Sequence, residues 1–262
     1  MSEAQLFGRK AREWIVAAGS LVMKGMEEQY AVEMKSKTDP VTEIDFRCEQ
    51  FLKEKIINEF PDHKILAEES DPLENSSEIR WIIDPIDGTT NFLHGFPYFC
   101  ISIAVEKEDK ILAAAIYDPY RKELFYSDPE TKGTLLNDKP VTVTRTQRVQ
   151  DSLLVTGFPY EHNDIFYKNF VLHRRVYERS HGVRRTGAAA LDLAYIAAGR
   201  SDGYWEFTLK PWDCAAGAYL VVKAGGRVTT VSGQDYSPYI PSLLATNGLI
   251  HNEMLEILNK ED

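Results

Sequence analysis

The sequence predicts an α+β protein in which helices and sheet stack as separate layers. Helical and strand patterns come in blocks rather than as single βα units, which argues against a Rossmann arrangement. Strand patterns from Phe99 to Val105, Ile111 to Tyr117 and Glu123 to Tyr126 are joined by short polar turns, as antiparallel neighbours are. Gly and Pro are scattered and no low-complexity tract marks a linker, so the 262 residues are expected to form one continuous body.

From Leu6 to Met26, apolar residues recur near helical spacing at Leu6, Ala11, Trp14, Ile15, Ala18 and Val22. The polar stretch from Lys35 to Pro40 reads as a loop. A second helical pattern runs through Ile44, Cys48, Phe51, Leu52, Lys55 and Ile56 and stops at Phe60-Pro61. Trp81-Ile82-Ile83 is a short apolar run ending in Asp84, an interior strand. In the second half, Ser152 to Thr156 predicts a strand and Ile165 to Val176 a helix. Ala188 to Ala198 predicts a helix closed by Gly199. Gly203 to Phe207 is short and aromatic. Ala215 to Lys223 reads as a helix ended by Gly225-Gly226. Arg227 to Val231 and Ser242 to Thr246 read as strands, and His251 to Asn259 as a closing helix.

Composition narrows the function. Forty acidic residues against 30 basic ones give a net charge of -10 with no long basic run, which argues against binding a nucleic-acid backbone. Arg174-Arg175 and Arg184-Arg185 are compact basic spots, read as surface or subunit contact, or as contacts to substrate or partner. Cys48, Cys100 and Cys214 form no CxxC unit, and no amino-terminal apolar segment resembles a signal peptide, so reduced thiols and a cytoplasmic location are expected. No stretch approaches the ~18 apolar residues of a membrane-spanning helix.

The chemistry lies in carboxylates. Glu68 and Glu69 follow the apolar Ile65-Leu66, Asp84-Pro85-Ile86-Asp87-Gly88-Thr89-Thr90 follows a strand, and Asp213 opens a small-residue helix. A strand end that turns at Pro85 would aim Asp84, Asp87 and the carbonyl of Ile86 into one site. Such an oxygen cage, completed by Glu68 and Asp213, suits a hard cation such as Mg²⁺ and is expensive to assemble without one. If a helix starts at Gly88-Thr89, its backbone N–H groups make a seat for phosphate, and Gly88 keeps the approach open. Thr89 offers a hydroxyl to orient a water between itself and Glu68. Together these parts suit metal-assisted phosphoryl transfer with no covalent intermediate.

Plainer readings exist for each residue. Asp-Pro-x-Asp-Gly alone is a turn signature, Asp213 alone an N-cap, and Glu69 a salt-bridge or solvent residue. Asp45 and Glu206 alone could be surface residues. The turn reading is weakened because Asp84 ends an apolar strand, where an unpaired charge is costly. The six histidines show no zinc spacing, and GxGxxG, Walker and GxSxG signatures are all missing.

The strings Ala67-Glu68-Glu69-Ser70, WIIDPIDGTTNFLHGFPYFCISIA from Trp81, RRTGAAALDLAYIAAGR from Arg184 and KPWDCAAGAYLVVKAGG from Lys210 resemble the inositol monophosphatases, within the lithium-sensitive, magnesium-dependent phosphatase superfamily. The resemblance covers nearly the whole chain and is closest in flavour to the bacterial members. It implies a layered α-β-α-β-α sandwich of the inositol monophosphatase/fructose-bisphosphatase type and a homodimer. It also implies two or three Mg²⁺ ions per site, and inhibition by lithium. By resemblance Glu68, Asp84, the carbonyl of Ile86, Asp87 and Asp213 bind metal, and Glu68 and Thr89 handle the nucleophilic water. Gly88 and Thr89 donate backbone groups to phosphate. Gly187, Ala188, Ala189 and Glu206 lie near the alcohol. Lys35, Thr42 and Asp45 belong to a mobile loop and its support for a further magnesium. The chain is then one domain, with most metal ligands in 1–146, and with Asp213 and Glu206 supplied by 147–262.

Two positions depart from the family pattern. Many relatives carry Ser or Thr at the place of Ala188. Cys214 follows Asp213 directly and would make activity oxidation-sensitive if exposed. The resemblance implies hydrolysis of myo-inositol monophosphate. Alternatives are the same chemistry on fructose 1,6-bisphosphate, a nucleotide 3'-phosphate or histidinol phosphate, and an added regulatory contact with the transcription machinery, as in some bacterial relatives.

Overall fold

The computed structural model describes residues 2–36 and 39–260. Helix α1 (Glu3–Gly25) starts with a capping box, in which the Ser2 hydroxyl accepts from the Gln5 N–H and the Gln5 side chain accepts from the Ser2 N–H. Strands β1 (Val32–Ser36) and β2 (Asp39–Thr42) pair antiparallel and lead into α2 (Glu43–Glu59). There follow β3 (Lys64–Ala67), β4 (Ile79–Asp87), the short α3 (Thr89–Leu93), β5 (Cys100–Lys107), β6 (Lys110–Asp118), β7 (Glu123–Ser127), β8 (Thr134–Leu136) and β9 (Lys139–Val141). The remainder comprises β10 (Leu153–Thr156), α4 (Asp164–Tyr177), β11 (Gly182–Arg184), α5 (Ala189–Ala197) and β12 (Gly203–Phe207). After these come α6 (Pro211–Lys223), β13 (Arg227–Thr229), β14 (Ser242–Thr246) and α7 (His251–Asn259).

Among the described residues, β3 to β9 form a seven-stranded sheet in sequence order, and β11-β10-β12-β14-β13 a five-stranded one. Both faces of the larger sheet are buried. Along β4 to β6, Trp81, Ile83, Ile101, Ile103, Ala113 and Ala115 point to α1 and α2, while Ile82, Ala104, Ala114 and Ile116 point to α5 and α6. Helices α5 and α6 fill the space between the sheets. They approach closely because Gly217 lacks a Cβ, which would come within 2.5 Å of the Cβ of Leu193. Leu172, Val176, Met254 and Leu258 of α4 and α7 cover the outer face of the smaller sheet. The result is the α-β-α-β-α sandwich that the resemblance implies.

The structure corrects several readings. Ser36 and Asp39 lie in the β1–β2 hairpin rather than in a loop, and Lys37 and Thr38 lie outside the described residues. The strand of Asp84 does not end at Pro85. It continues to Asp87, with pairing interrupted between Asp84↔Ser102 and Asp87↔Cys100. Proline has no N–H for the ladder, so the interruption falls where Pro85 sits. Helix α6 begins at Pro211, four residues before Ala215, and the aromatic Gly203–Phe207 is an interior strand of the smaller sheet.

Candidate active site

The irregular end of β4 faces α2, α5 and α6 at once. Asp84 is buried, and its Oδ1 has no hydrogen-bond partner among the described residues. Burial, then the charges of Glu68, Asp87 and Asp213, push its carboxyl well above the ordinary range. Asp213, at the third position of α6, accepts from the Lys210 N–H at 2.7 Å and is likewise pushed up, by burial and then by Glu68. Asp213 is therefore not the N-cap that the plain reading made it: Lys210 holds that place, and Asp213 accepts from its N–H out of the first turn. Glu68 accepts from Lys35 Nζ at 2.7 Å, and Glu69 accepts from the same ammonium at 2.6 Å. Burial opposes the Lys35 charge, but Glu68 and then Glu69 hold the group above the usual lysine range. Burial and the charge of Glu68 push Glu69 up to about 8.

Asp87 reaches across the molecule to the start of α5, where its oxygens accept from the N–H groups of Ala189 at 3.1 Å and Ala190 at 2.7 Å. Burial raises it to about 7 despite those donors. Among the described residues, no three His, Cys, Asp or Glu side chains converge tightly enough to hold an ion as they stand. The reason is local: Lys35 holds Glu68, the α5 amides hold Asp87, and the Lys210 amide holds Asp213. The donors are all oxygen, and the unpartnered Asp84 Oδ1 is the kind of group that a hard cation satisfies, so the set fits magnesium chemically.

Beside them stands a hydroxyl pair. The Thr89 hydroxyl lies 2.9 Å from Asp45 Oδ1 and 3.0 Å from the Ile86 carbonyl, and has one proton to donate between them. Asp45 is fully buried in the first turn of α2, where the Thr42 N–H donates to it at 2.9 Å, so it is not a surface residue. Burial raises its carboxyl, opposed by the Thr42 bonds. Gly88 precedes α3 at φ +94°, and a Cβ there would come 3.1 Å from the Tyr98 carbonyl and 3.2 Å from Ala188 Cβ. A Cβ at this position would thus press on the 187–188 loop, a reason for glycine that stands beside the expected approach of phosphate. Helix α3 has no side-chain cap, and at five residues it is a short seat.

The alcohol-side residues also assemble. Asp87, Asp213, Gly187, Ala188, Ala189 and Glu206 line one cavity with about 470 Å³ of atom-free space, its open mouth included. Glu206 accepts from the Tyr204 hydroxyl, packs against Gly157, and is pushed up to about 7 by burial. Sequence reasoning missed Phe158, Tyr160 and Asp192, which also line this cavity, together with Arg185 of the basic pair for which substrate contact was one of the readings. It missed Asn91 too, whose amide donates to the carbonyls of Tyr98 at 2.7 Å and Thr186 at 2.8 Å and so ties the two loops together. Asn91 and Tyr98 stood inside one recognised string, but Thr186 is 95 residues away in sequence. Cys214 is buried and its thiol is pushed up by burial, so exposure does not make it oxidation-sensitive. Cys48 and Cys100 are buried and unpaired as well.

Residues 6–261 match the model of the inositol monophosphatase family. The chain belongs to that family. It is 38% identical over 98% of its length to the structure of inositol monophosphatase from Anabaena, of which 96% is covered, with a TM-score of 0.87. It is 38% identical over 241 residues to "Nus factor SuhB" of Haemophilus influenzae, covering 91% of this chain and 90% of that one. It is also 38% identical over 242 residues to the chloroplastic phosphatase IMPL1 of Arabidopsis thaliana, matching 90% of its own length but 65% of that protein's. Membership brings the chemistry of the family, Mg²⁺-dependent hydrolysis of phosphate monoesters. No helix among the described residues is long and apolar enough to cross a membrane.

Proposed function

We propose that this chain hydrolyses myo-inositol monophosphate to inositol and phosphate by direct attack of water. The observation that carries the reading is the buried, unpartnered Asp84 Oδ1 set among Glu68, Asp87 and Asp213 beside the Thr89–Asp45 pair. Glu68, Asp84, Asp87, Asp213 and the carbonyl of Ile86 would hold two or three Mg²⁺ ions. Those ions, when bound, stabilise charge on the phosphoryl and leaving oxygens and make water more acidic. Lys35 on β1 donates to Glu68 and Glu69 and would compete with a cation for Glu68. Thr89 Oγ1 accepts a proton from the attacking water as its own passes toward Asp45, while Glu68 orients that water from the other side. Gly88 and Thr89 present backbone N–H groups to phosphate. Gly187, Ala188 and Ala189 wall the alcohol, and Glu206 accepts hydrogen bonds from its hydroxyls.

In this reading 1–146 and 147–262 act as one domain, because Asp87 from the first part meets α5 and Asp213 from the second. A homodimer is proposed as well, supported by Tyr167, Phe170 and Tyr177, which are 51–61% exposed on α4. Lithium inhibition and a cytoplasmic setting complete the proposal, the latter supported by three unpaired thiols. Phosphate release from inositol 1-phosphate, fructose 1,6-bisphosphate, adenosine 3'-phosphate and histidinol phosphate, with and without Mg²⁺, tests the reading. Equal turnover in EDTA would refute it. The SuhB likeness supports a second reading, a transcription-machinery contact in addition to catalysis, which a pull-down with RNA polymerase tests.

A further inference from the structure

One wall of the active-site cavity is fastened by a closed circuit of four residues, and the proposed chemistry gives its carboxylate no part. Asp192, in the first turn of α5, lines the cavity yet is only 2% exposed. Its Oδ1 accepts from the Tyr98 hydroxyl at 2.6 Å, and the Thr186 hydroxyl lies 2.5 and 2.6 Å from its two oxygens. Asn91 joins the same two residues through their backbone, donating to the carbonyls of Tyr98 and Thr186. Tyr98 and Thr186 are thus each held twice, once by the side chain and once by the carbonyl. The circuit ties α3, the segment before β5, the loop after β11 and the start of α5 to one another. Gly187 and Ala188 follow Thr186 directly. They lie so near Gly88 that a Cβ there would come 3.2 Å from the Gly187 carbonyl and from Ala188 Cβ. The Asp192 N–H also donates to the Ala188 carbonyl, at 3.0 Å.

We propose that Asp192 is a positioning residue: through Thr186 and Tyr98 it fixes the 187–188 wall, and so sets how tightly the alcohol of the substrate is held. A buried carboxylate accepts from two hydroxyls at once, and such bonds to a charged group are short and strong, so the loop between them has little freedom. Loosening the wall weakens the grip on the alcohol and leaves the grip on phosphate, which the other end of the site supplies. The inference rests on the phosphatase reading for what the wall faces. The plain alternative is that Asp192 only stabilises the fold, which would lower Tm and favour no ligand over another.

The test removes the hydroxyls one at a time and compares a ligand that has an alcohol with one that has none. Thr186→Val and Tyr98→Phe keep the shape of each side chain. Each should raise KM for inositol 1-phosphate about tenfold with kcat within about threefold of wild type, the pattern of lost uniform binding. Inorganic phosphate carries no alcohol, so its inhibition constant should move by less than about twofold. Asp192→Asn offers an oxygen to Tyr98 and an N–H to the Thr186 oxygen, and should restore KM to within about twofold, unlike Asp192→Ala. An unchanged KM in the hydroxyl variants, or a phosphate constant that shifts in proportion to KM, overturns the positioning role. So does a loss in Asp192→Asn as large as in Asp192→Ala. Backbone ¹⁵N relaxation reads the wall without turnover: the order parameters of Gly187 and Ala188 should fall from about 0.85 to below about 0.6 in Thr186→Val. If wild type does not hydrolyse inositol 1-phosphate, the substrate reading fails and relaxation alone decides. A wall loosened in Thr186→Val then upholds the role of Asp192, and unchanged order parameters overturn it.

Discussion

Replacing Asp87 by Asn separates the chemistry of this site from its folding. Asp87 is moved from an ordinary 3.8 to about 7, first by burial, against the donors of α5. A folded-state pKa raised in this way means that the folded chain holds the proton more tightly. The stability linked to it is complete below pH ~4 and lost as pH rises to ~7. Roughly three units at ~1.4 kcal/mol each set an upper figure of about 4 kcal/mol at pH 8. Glu68, Asp84 and Asp213 keep their own mutual repulsion, so about 1–2 kcal/mol is the share that Asp87→Asn should relieve. Against this, the amide offers one oxygen where the carboxylate offered two, and an N–H of α5 left unpaired costs about 1 kcal/mol. In EDTA at pH 8 the variant should therefore match or slightly exceed wild-type stability, and its Tm should fall less than wild type's between pH 5 and 8. In Mg²⁺ it should gain less stability than wild type and lose on the order of 10²-fold in kcat/KM, about 2.7 kcal/mol of transition-state stabilisation. Thermal unfolding at both pH values and activity across a magnesium titration read all of this. Near-normal activity at low magnesium, or a pH-dependent loss as large as wild type's, refutes the reasoning.

Thr89→Ala should lower kcat by 10²-fold or more with a small change in KM, whereas Thr89→Ser keeps the hydroxyl opposite Asp45 and should retain most activity; equal losses would remove the proton relay. Gly88→Ala should reduce stability by about 1–3 kcal/mol as well as turnover, because of the positive φ and the contacts to Tyr98 and Ala188; denaturant unfolding with an unchanged midpoint would contradict this. Glu206→Gln should weaken turnover of inositol 1-phosphate more than that of an aryl phosphate, and equal proportional losses in kcat/KM would take Glu206 out of the alcohol pocket.

The layers were legible because their signals are local. The periodicity of α1 and α2, the apolar Trp81-Ile82-Ile83 and the polar turns of the β5–β7 meander all survive in the structure with shifts of a few residues. The β1–β2 hairpin was not legible, since β1 is exposed throughout and so has no alternation to read, and the stretch from Lys35 to Pro40 is polar. Strands β8, β9 and β11 are three residues long, too short for a period. Residue identity pointed to the acidic cluster, but not to the way its charge is held. That Lys35 bridges Glu68 and Glu69, or that Asp87 caps a helix about a hundred residues on, follows from packing between distant segments. The bond from Asn91 to the Thr186 carbonyl was hidden for the same reason.

The contact between Gly157 and Glu206 constrains how this pocket can be redesigned. A Cβ at position 157 would overlap the Glu206 carboxyl group, and a shorter acid at 206 would leave the Tyr204 hydroxyl facing a gap. Gly157 directly follows β10 and Glu206 lies on the neighbouring β12, about fifty residues on in sequence, and neither can vary far while the other stays fixed. Libraries that randomise Glu206 alone sample acids and amides against a wall shaped for one of them. A new alcohol specificity calls for exchanging both residues in a single step, because the intermediate with a larger 157 and an intact Glu206 passes through a steric clash.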